Sequence, residues 1–278
     1  MKRLTSTSGF TLTEVLIAGF LAAGLVAVTF QFYIAEHNNM LTQHSVSDLQ
    51  QNIRAGIADI TRSVRNAGAN LPNDLQPIIA YDTNPDTLIL RYALMGGVVN
   101  VGEGTLLQQA FPIHVPLGTD LSQFSIGGRA YIWYDAAKQG EWFTITNMVT
   151  NGGLGWEEIH HLGQDLMFNP QAGDFIINLQ ESQYFVNNAD TAAPLLMREQ
   201  NGDTAMVYAE NVYDLQFQFQ LSDSSTVNAP TAADTVYLVN VSMSAQAAEI
   251  DYNLEDRGLD GRRRRTLSTT MVVRNNRF

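Results

Sequence analysis

Two apolar patterns follow one another along the first 70 residues. Residues 10–34 are almost continuously apolar and contain one carboxylate, Glu14. From residue 46 onward, apolar side chains recur every three or four positions, which places them on one stripe of a helix. The stripe consists of Val46, Leu49, Ile53, Ile57, Ile60 and Val64. The charged residues of this stretch are expected mostly off the stripe: Asp48, Arg54, Asp59, Arg62 and Arg65.

No proline interrupts residues 10–71, so both patterns fit one uninterrupted helix. Gly68 supplies a C-cap and Pro72 a stop. We therefore expect one helix of about 55 to 60 residues. It divides into a transmembrane or assembly half at 10–36 and an amphipathic half at 37–70.

The remainder, residues 71–278, is predicted to be a β-rich head. In "DLQFQFQL", residues 214–221, apolar and glutamine side chains alternate, as in a half-buried strand. Residues 235–244 form a second alternating, β-branched run. Further strand candidates are 87–94, 131–134, 141–149, 174–180 and 266–275. The predicted fold class is α+β, with the back half of the helix packed on an antiparallel sheet.

Composition narrows the classes of function. The chain of 278 residues has no cysteine, so neither a disulfide framework nor a thiolate metal site is available. Its formal net charge is −12, which argues against a general nucleic-acid binder. No enzyme signature is found, and no cofactor is expected.

The apolar segment from Phe10 to Ile34 is about long enough to span a bilayer. Lys2 and Arg3 precede it, and the next basic residue is Arg54, so the N-terminus is expected in the cytoplasm and the head outside. A cleavable secretory signal peptide is the alternative. The continuity of the helix and the polar spacer at residues 5–9 weigh against that alternative.

Glu14 needs a partner if this segment lies in lipid. A carboxylate costs about 2.5–3.5 kcal/mol at mid-bilayer, and less near an interface. No cation lies one helical turn away, since the neighbours at that spacing are Phe10 and Ala18. An α-amino terminus could serve, provided that the chain is cut just before the apolar run and that the amine belongs to another subunit.

The stretch "GFTLTEVLIA", residues 9–18, resembles the class III signal of type IV pilins and type II secretion pseudopilins. The resemblance implies a leader at residues 1–9 and cleavage between Gly9 and Phe10 by a prepilin peptidase. It also implies N-methylation of Phe10 and pairing of Glu14 with the Phe10 amine of a neighbouring subunit. Many major pilins have a helix-bending proline where this chain has Gln31, so any flexibility would come from Gly19 or Gly24.

Residues 57–72, 201–219 and 262–277 together resemble PilW-type minor pilins, whose counterpart in type II secretion is the J-type minor pseudopilin. The resemblance implies a minor pilin that helps initiate assembly and joins the pilus at its tip. Implied partners are other minor and major pilins, the prepilin peptidase, the inner-membrane assembly platform and, before assembly, membrane lipid. The implied location is the inner membrane, with the head in the periplasm, and then the pilus. A J-type pseudopilin and a membrane-anchored periplasmic binding module are the alternatives.

Four other features are weak candidates for sites. In "WEEIHH" (156–161), His160 and His161 point to opposite faces of a strand, so one metal cannot bind both from regular β structure. His37 and His44 lack a third ligand nearby. The acidic stretch 251–261 departs from a calcium loop at Asp256 and Arg262. The arginine run 262–265 favours pairing with an acidic partner or with this chain's own acidic loop, and DNA is not expected.

Overall fold

The computed structural model describes residues 10–72, 74–102, 112–151, 155–161, 166–251, 254 and 260–275. The described residues divide into two compact units: a larger one from the described parts of 49–246 and 264–278, and a smaller one from the described parts of 1–48 and 247–263. The described residues form one helix, α1 (Leu12–Asn66), followed by strands. The strands are β1 (Ile78–Tyr81), β2 (Thr87–Asn100), β3 (Ile113–Pro116), β4 (Arg129–Tyr134), β5 (Gln139–Asn151), β6 (Trp156–His161), β7 (Phe175–Asn187), β8 (Leu195–Gln200), β9 (Met206–Glu210), β10 (Val212–Leu221), β11 (Thr226–Val227), β12 (Val236–Ile250) and β13 (Arg262–Val272).

Helix α1 runs for 55 residues without interruption, as the sequence predicts. Its side chains are exposed through most of residues 10–44. In the larger unit, the predicted stripe is buried, with Leu49, Ile53, Ile60 and Val64 each at most 3% exposed. Burial of these branched side chains anchors the helix, since each contributes about 1.5–3 kcal/mol when removed from water.

The helix ends at Asn66, and Gly68 follows it as the C-cap glycine that the sequence predicts. This residue adopts φ +83°, a conformation that glycine reaches without strain. The side-chain amide of Asn275 donates toward the carbonyl oxygens of Arg65, Asn66 and Ala67, at 3.2, 3.4 and 3.4 Å. Asn275, a residue near the far end of the chain, therefore supplies a donor to carbonyls at the end of the helix that have no intrahelical partner.

The first sheet has nine strands in the order β1-β2-β7-β4-β5-β6-β3, with β8 paired to β7 and β9 to β8. Every pairing in it is antiparallel. Strand β4 is buried on both faces: Ile132 and Tyr134 join one apolar cluster, whereas Tyr131 and Trp133 join the other. Two cores therefore share this sheet.

The second sheet has the order β11-β10-β12-β13. In β10, Leu215, Phe217 and Phe219 are buried, and the intervening glutamines lie on the opposite face. The predicted alternation is confirmed. The buried carboxylate of Asp86 joins the two sheets, because it accepts the Phe217 amide at 2.7 Å while the Asp86 amide donates to the Leu215 carbonyl at 2.8 Å.

Asp59 departs from the expectation that charged residues avoid the buried stripe. It is only 7% exposed. The Tyr184 hydroxyl donates to its carboxylate at 2.5 Å, and the Arg198 guanidinium lies 3.3 Å away. Ser63, one turn further along α1, contacts the same Tyr184 hydroxyl at 2.9 Å. Burial, together with the hydrogen bond to the carboxylate, raises the pKa of Tyr184. This polar cluster couples α1 to β7 and β8.

Loss of Arg198 should leave a buried carboxylate without its cation. We expect Arg198→Ala to lower the free energy of unfolding by about 3 kcal/mol, measured by chemical denaturation of the full chain in detergent with tryptophan fluorescence. Arg54→Ala, an exposed change on the same helix, should stay within about 0.5 kcal/mol. The double variant Asp59→Ala, Arg198→Ala should lose less than the sum of the two single changes. Strict additivity would show that the pair is not coupled.

Candidate assembly site at the helix N-terminus

The first turn of α1 is closed by a reciprocal pair of residues, Thr11 and Glu14. The amide of Glu14 donates to Thr11 Oγ1 at 3.3 Å, and the Thr11 amide donates back to Glu14 Oε2 at 2.8 Å. Thr11 Oγ1 also donates to Glu14 Oε2, at 2.9 Å. With Leu12 as the first helical residue, this is a capping box, in which two otherwise unpaired amides are satisfied. Glu14 thus starts the helix as well as carrying a charge.

Within the described residues, the Glu14 carboxylate accepts two hydrogen bonds, both from Thr11. In the sequence, the first Lys or Arg after Phe10 is Arg54, forty positions beyond Glu14. The carboxylate is therefore placed at the exposed start of an apolar helix with hydrogen-bond donors but with no cation from its own helix nearby. A positive group brought by another molecule could reach it.

An apolar surface surrounds this carboxylate. Phe10, Leu12 and Phe20 are each about 80% exposed or more. By length and composition, α1 is the one helix among the described residues that could cross a membrane, with a mean hydropathy of 2.2 in its most apolar window. So large an apolar surface needs cover from lipid or from neighbouring helices.

Polar groups further along the apolar half are accommodated locally. The Thr29 hydroxyl donates to the Leu25 carbonyl at 2.8 Å, so it presents no free donor to lipid. Tyr33 stacks on His37, with ring centroids 6.1 Å apart, near the end of the apolar run, where aromatic rings favour a membrane interface. The helix continues through Gly19 and Gly24, which have open space beside them.

The predicted cleavage residue Gly9 and the rest of the leader lie outside the described residues. Phe10, the residue expected to become the new N-terminus, is the first one described, and its side chain is exposed. Phe10 adjoins Thr11, so an amine at Phe10 would lie one residue from the capping box. Phe10 lies just before α1, and Glu14 lies in its first turn.

The histidines of "WEEIHH" separate as expected for a strand. His161 makes an edge contact with Phe143, whereas His160 Nε2 lies 3.4 Å from Glu158 Oε2 on the other face. His114 on β3 lies directly opposite Glu158 on β6. The distance between His114 Nε2 and Glu158 Oε1 is 3.8 Å, and the sequence did not predict this contact. Even so, no three potential ligands converge on a metal position in the part of the chain that is described.

The arginine run divides among several contacts. Most of the predicted acidic loop lies outside the described residues, but Asp251 at its start is buried. Arg263 contacts the Asp251 carboxylate at 2.6 and 2.7 Å, which is the expected pairing with this chain's own acidic loop. Arg262 donates to the carbonyls of Ala247 and Ala248, both at 3.0 Å.

Comparison with known proteins adds little to this geometry. No family model matches the chain, and no curated protein matches it. Among solved structures, a type IV-like pilin from Thermus thermophilus matches with 10% identity and a TM-score of 0.36, over 82% of this chain and 97% of that chain. A TM-score this low does not establish a shared fold. The α+β fold described above therefore rests on the helix and strands themselves.

The capping box generates a prediction about the first turn. Thr11→Ala removes the hydroxyl that accepts the Glu14 amide and should destabilise the turn by about 1 kcal/mol. Hydrogen exchange of the Glu14 and Val15 amides, which donate to Thr11, should accelerate about fivefold when measured on the full chain in detergent. Thr29→Ala makes the same chemical change in mid-helix and should leave those amides unaffected. Equal exchange in Thr11→Ala and the unmodified chain would show that Thr11 does not cap the helix.

Proposed function

We propose that this chain is a type IV pilin-like assembly subunit, and more specifically a PilW-type minor pilin that helps initiate pilus assembly and is incorporated at the tip. The observation that carries the proposal is the position of Glu14. It lies at the head of an exposed apolar segment that continues without a break into a helix anchored in the β-rich head. The Gly9-Phe10 junction and the glutamate at the fifth position after Gly9 support the same reading.

In the proposed mechanism, residues 10–34 first lie in the inner membrane with the head in the periplasm. The prepilin peptidase cuts after Gly9, and Phe10 receives the N-methyl group. The apolar segment then exchanges lipid for the apolar segments of neighbouring subunits. Glu14 of one subunit takes the Phe10 ammonium of its neighbour, which matches one charge with another in an apolar setting.

This exchange has a specific consequence for Thr11. Before assembly, the carboxylate of Glu14 is held by the Thr11 amide and hydroxyl at 2.8 and 2.9 Å. A carboxylate has about four acceptor sites on its two oxygens, and both contacts use Oε2. Oε1 is therefore the oxygen that can receive an ammonium without disturbing the cap.

A J-type pseudopilin would use the same membrane segment in a secretion machine. PilW-like features of residues 201–219 and 262–277 support the pilus as the first choice. Deletion of the gene distinguishes the two functions. Loss of surface pili supports the proposal, and loss of exoprotein secretion with normal pili contradicts it.

The charge of Glu14 can be separated from its capping role. Glu14→Gln keeps a side chain that completes a capping box but removes the charge, whereas Glu14→Ala removes both. We expect both variants to be cut normally after Gly9 and both to fall at least about tenfold in incorporation into sheared pili, as expected for a lost charge pair worth at least 1.4 kcal/mol. Immunoblotting of sheared pili against membranes measures this ratio.

The matched control is Glu36→Ala, an exposed carboxylate on the same helix, which should be incorporated normally. Normal incorporation of Glu14→Gln together with failure of Glu14→Ala would assign Glu14 to capping and contradict the charge-pairing mechanism. Normal incorporation of both would contradict any role for Glu14 in assembly.

A further inference from the structure

One face of the second sheet carries rows of uncharged hydrogen-bonding side chains. It is the face opposite the buried Leu215, Phe217 and Phe219. On it, Gln216 lies opposite Ser242, and Gln218 lies opposite Asn240.

Strand β13 extends both rows. The Ser268 hydroxyl donates to Ser242 Oγ at 3.0 Å, and the Thr270 hydroxyl donates to Asn240 Oδ1 at 2.6 Å. Two parallel rows therefore cross three strands. We call this surface the polar face, and its six members are Gln216, Gln218, Asn240, Ser242, Ser268 and Thr270.

The polar face is open to solvent and shallowly concave. Gln218, Ser268 and Thr270 are exposed, and the other three members are half-buried. A shallow cleft of about 430 Å³ lies over them, with Asn228 at one side. The strands lie about 4.8 Å apart, and alternate residues on one strand about 7 Å apart, so the polar groups form a regular grid.

The grid leaves hydrogen-bonding capacity for a ligand. In its bond with Thr270, Asn240 uses its amide oxygen, so both amide hydrogens remain to donate. Ser242 accepts from Ser268 and still has its own hydroxyl hydrogen. Amide and hydroxyl groups each donate and accept, and the neighbouring bonds fix their positions before a ligand arrives.

The charge of the surroundings restricts the ligand. The chain contains 28 acidic and 16 basic residues, yet every residue lining this cleft is uncharged. Charged groups lie beyond one end of the face, where Asp214 accepts the Gln216 amide at 3.0 Å and Arg264 lies over the Tyr213 ring. The lining of the cleft therefore offers an anionic ligand no cation.

We propose that the polar face is a binding site for an uncharged saccharide. Sugar hydroxyls both donate and accept, as the six side chains do, whereas phosphate and carboxylate groups only accept and bind most strongly to cationic donors. The polar face shares no residue with the apolar segment 10–34. The saccharide proposal can therefore be tested separately from the proposed assembly function.

The test uses the full chain in detergent and an array of immobilised oligosaccharides. Neutral members carry glucose, mannose, galactose or N-acetylglucosamine, and each has a sulfated or sialylated counterpart. We expect binding to at least one neutral member, weaker binding to its anionic counterpart, and affinities that do not change between about 0.05 and 0.5 M NaCl. Failure to bind any neutral member, or binding that salt abolishes, would overturn the proposal.

Variants locate the binding on the polar face. Gln218→Ala with Asn240→Ala should lower the affinity at least about tenfold, because two sets of hydrogen bonds are lost. Gln218→Glu places a charge on an exposed side chain of the same size and should weaken binding even if the double variant folds poorly. Gln139→Ala, an exposed glutamine on β5 of the other sheet, is the matched control and should bind normally. Unchanged binding by Gln218→Glu would overturn the assignment.

A second copy of the chain is the competing occupant. The protein has no cysteine, so Ser268→Cys supplies a single thiol at the polar face. We expect this variant to remain monomeric under mild oxidation in the absence of saccharide. Efficient disulfide linkage of two copies through residue 268 would show that the face is an interface between copies, and would overturn the proposal.

Discussion

The structure depends on one helix that must satisfy two different solvents. Over residues 10–34, the helix presents apolar side chains on all sides, which is stable only in lipid or among similar helices. From Leu49 to Val64, the same helix presents one apolar stripe that is buried in the larger unit. The backbone of α1 is helical through both parts, so one element carries both the exposed apolar segment and the buried stripe.

Each end of this helix is closed by side chains rather than by water alone. At the N-terminus, Thr11 and Glu14 each accept a hydrogen bond from the other's backbone amide. At the C-terminus, the Asn275 amide approaches three carbonyl oxygens, and Gly68 turns the chain. The start differs in one respect, since its capping side chain also carries a charge. In the proposed function, a residue that already organises the first turn also selects a neighbouring subunit.

Local patterns in the sequence were enough to predict the helix and seven of the thirteen strands among the described residues. The three-or-four spacing of Leu49, Ile53 and Ile60 requires only the geometry of one helix, and the alternation of β10 only that of one strand. The capping box was also readable, because Thr11 and Glu14 stand three apart just before an apolar run. From the sequence, Glu14 was interpreted only as a charged residue, and its capping role was missed.

Features made by distant segments could not be read in this way. The burial of Asp59 depends on Tyr184 and Arg198, which lie more than 120 positions further along the chain. The approach of His114 to Glu158 depends on the pairing of β3 with β6, and the polar face on the registers of β10, β12 and β13. Strand order is a property of the assembled sheet, and neither spacing nor composition encodes it.

The most direct test of the account is the chemical identity of the N-terminus. Protein extracted from membranes should be analysed by mass spectrometry from cells with and without an active prepilin peptidase. The account predicts a chain that begins at N-methylated Phe10 only when the peptidase is active. An intact Met1 in both strains, or a start near residue 25, would contradict it and leave the charge of Glu14 without a partner.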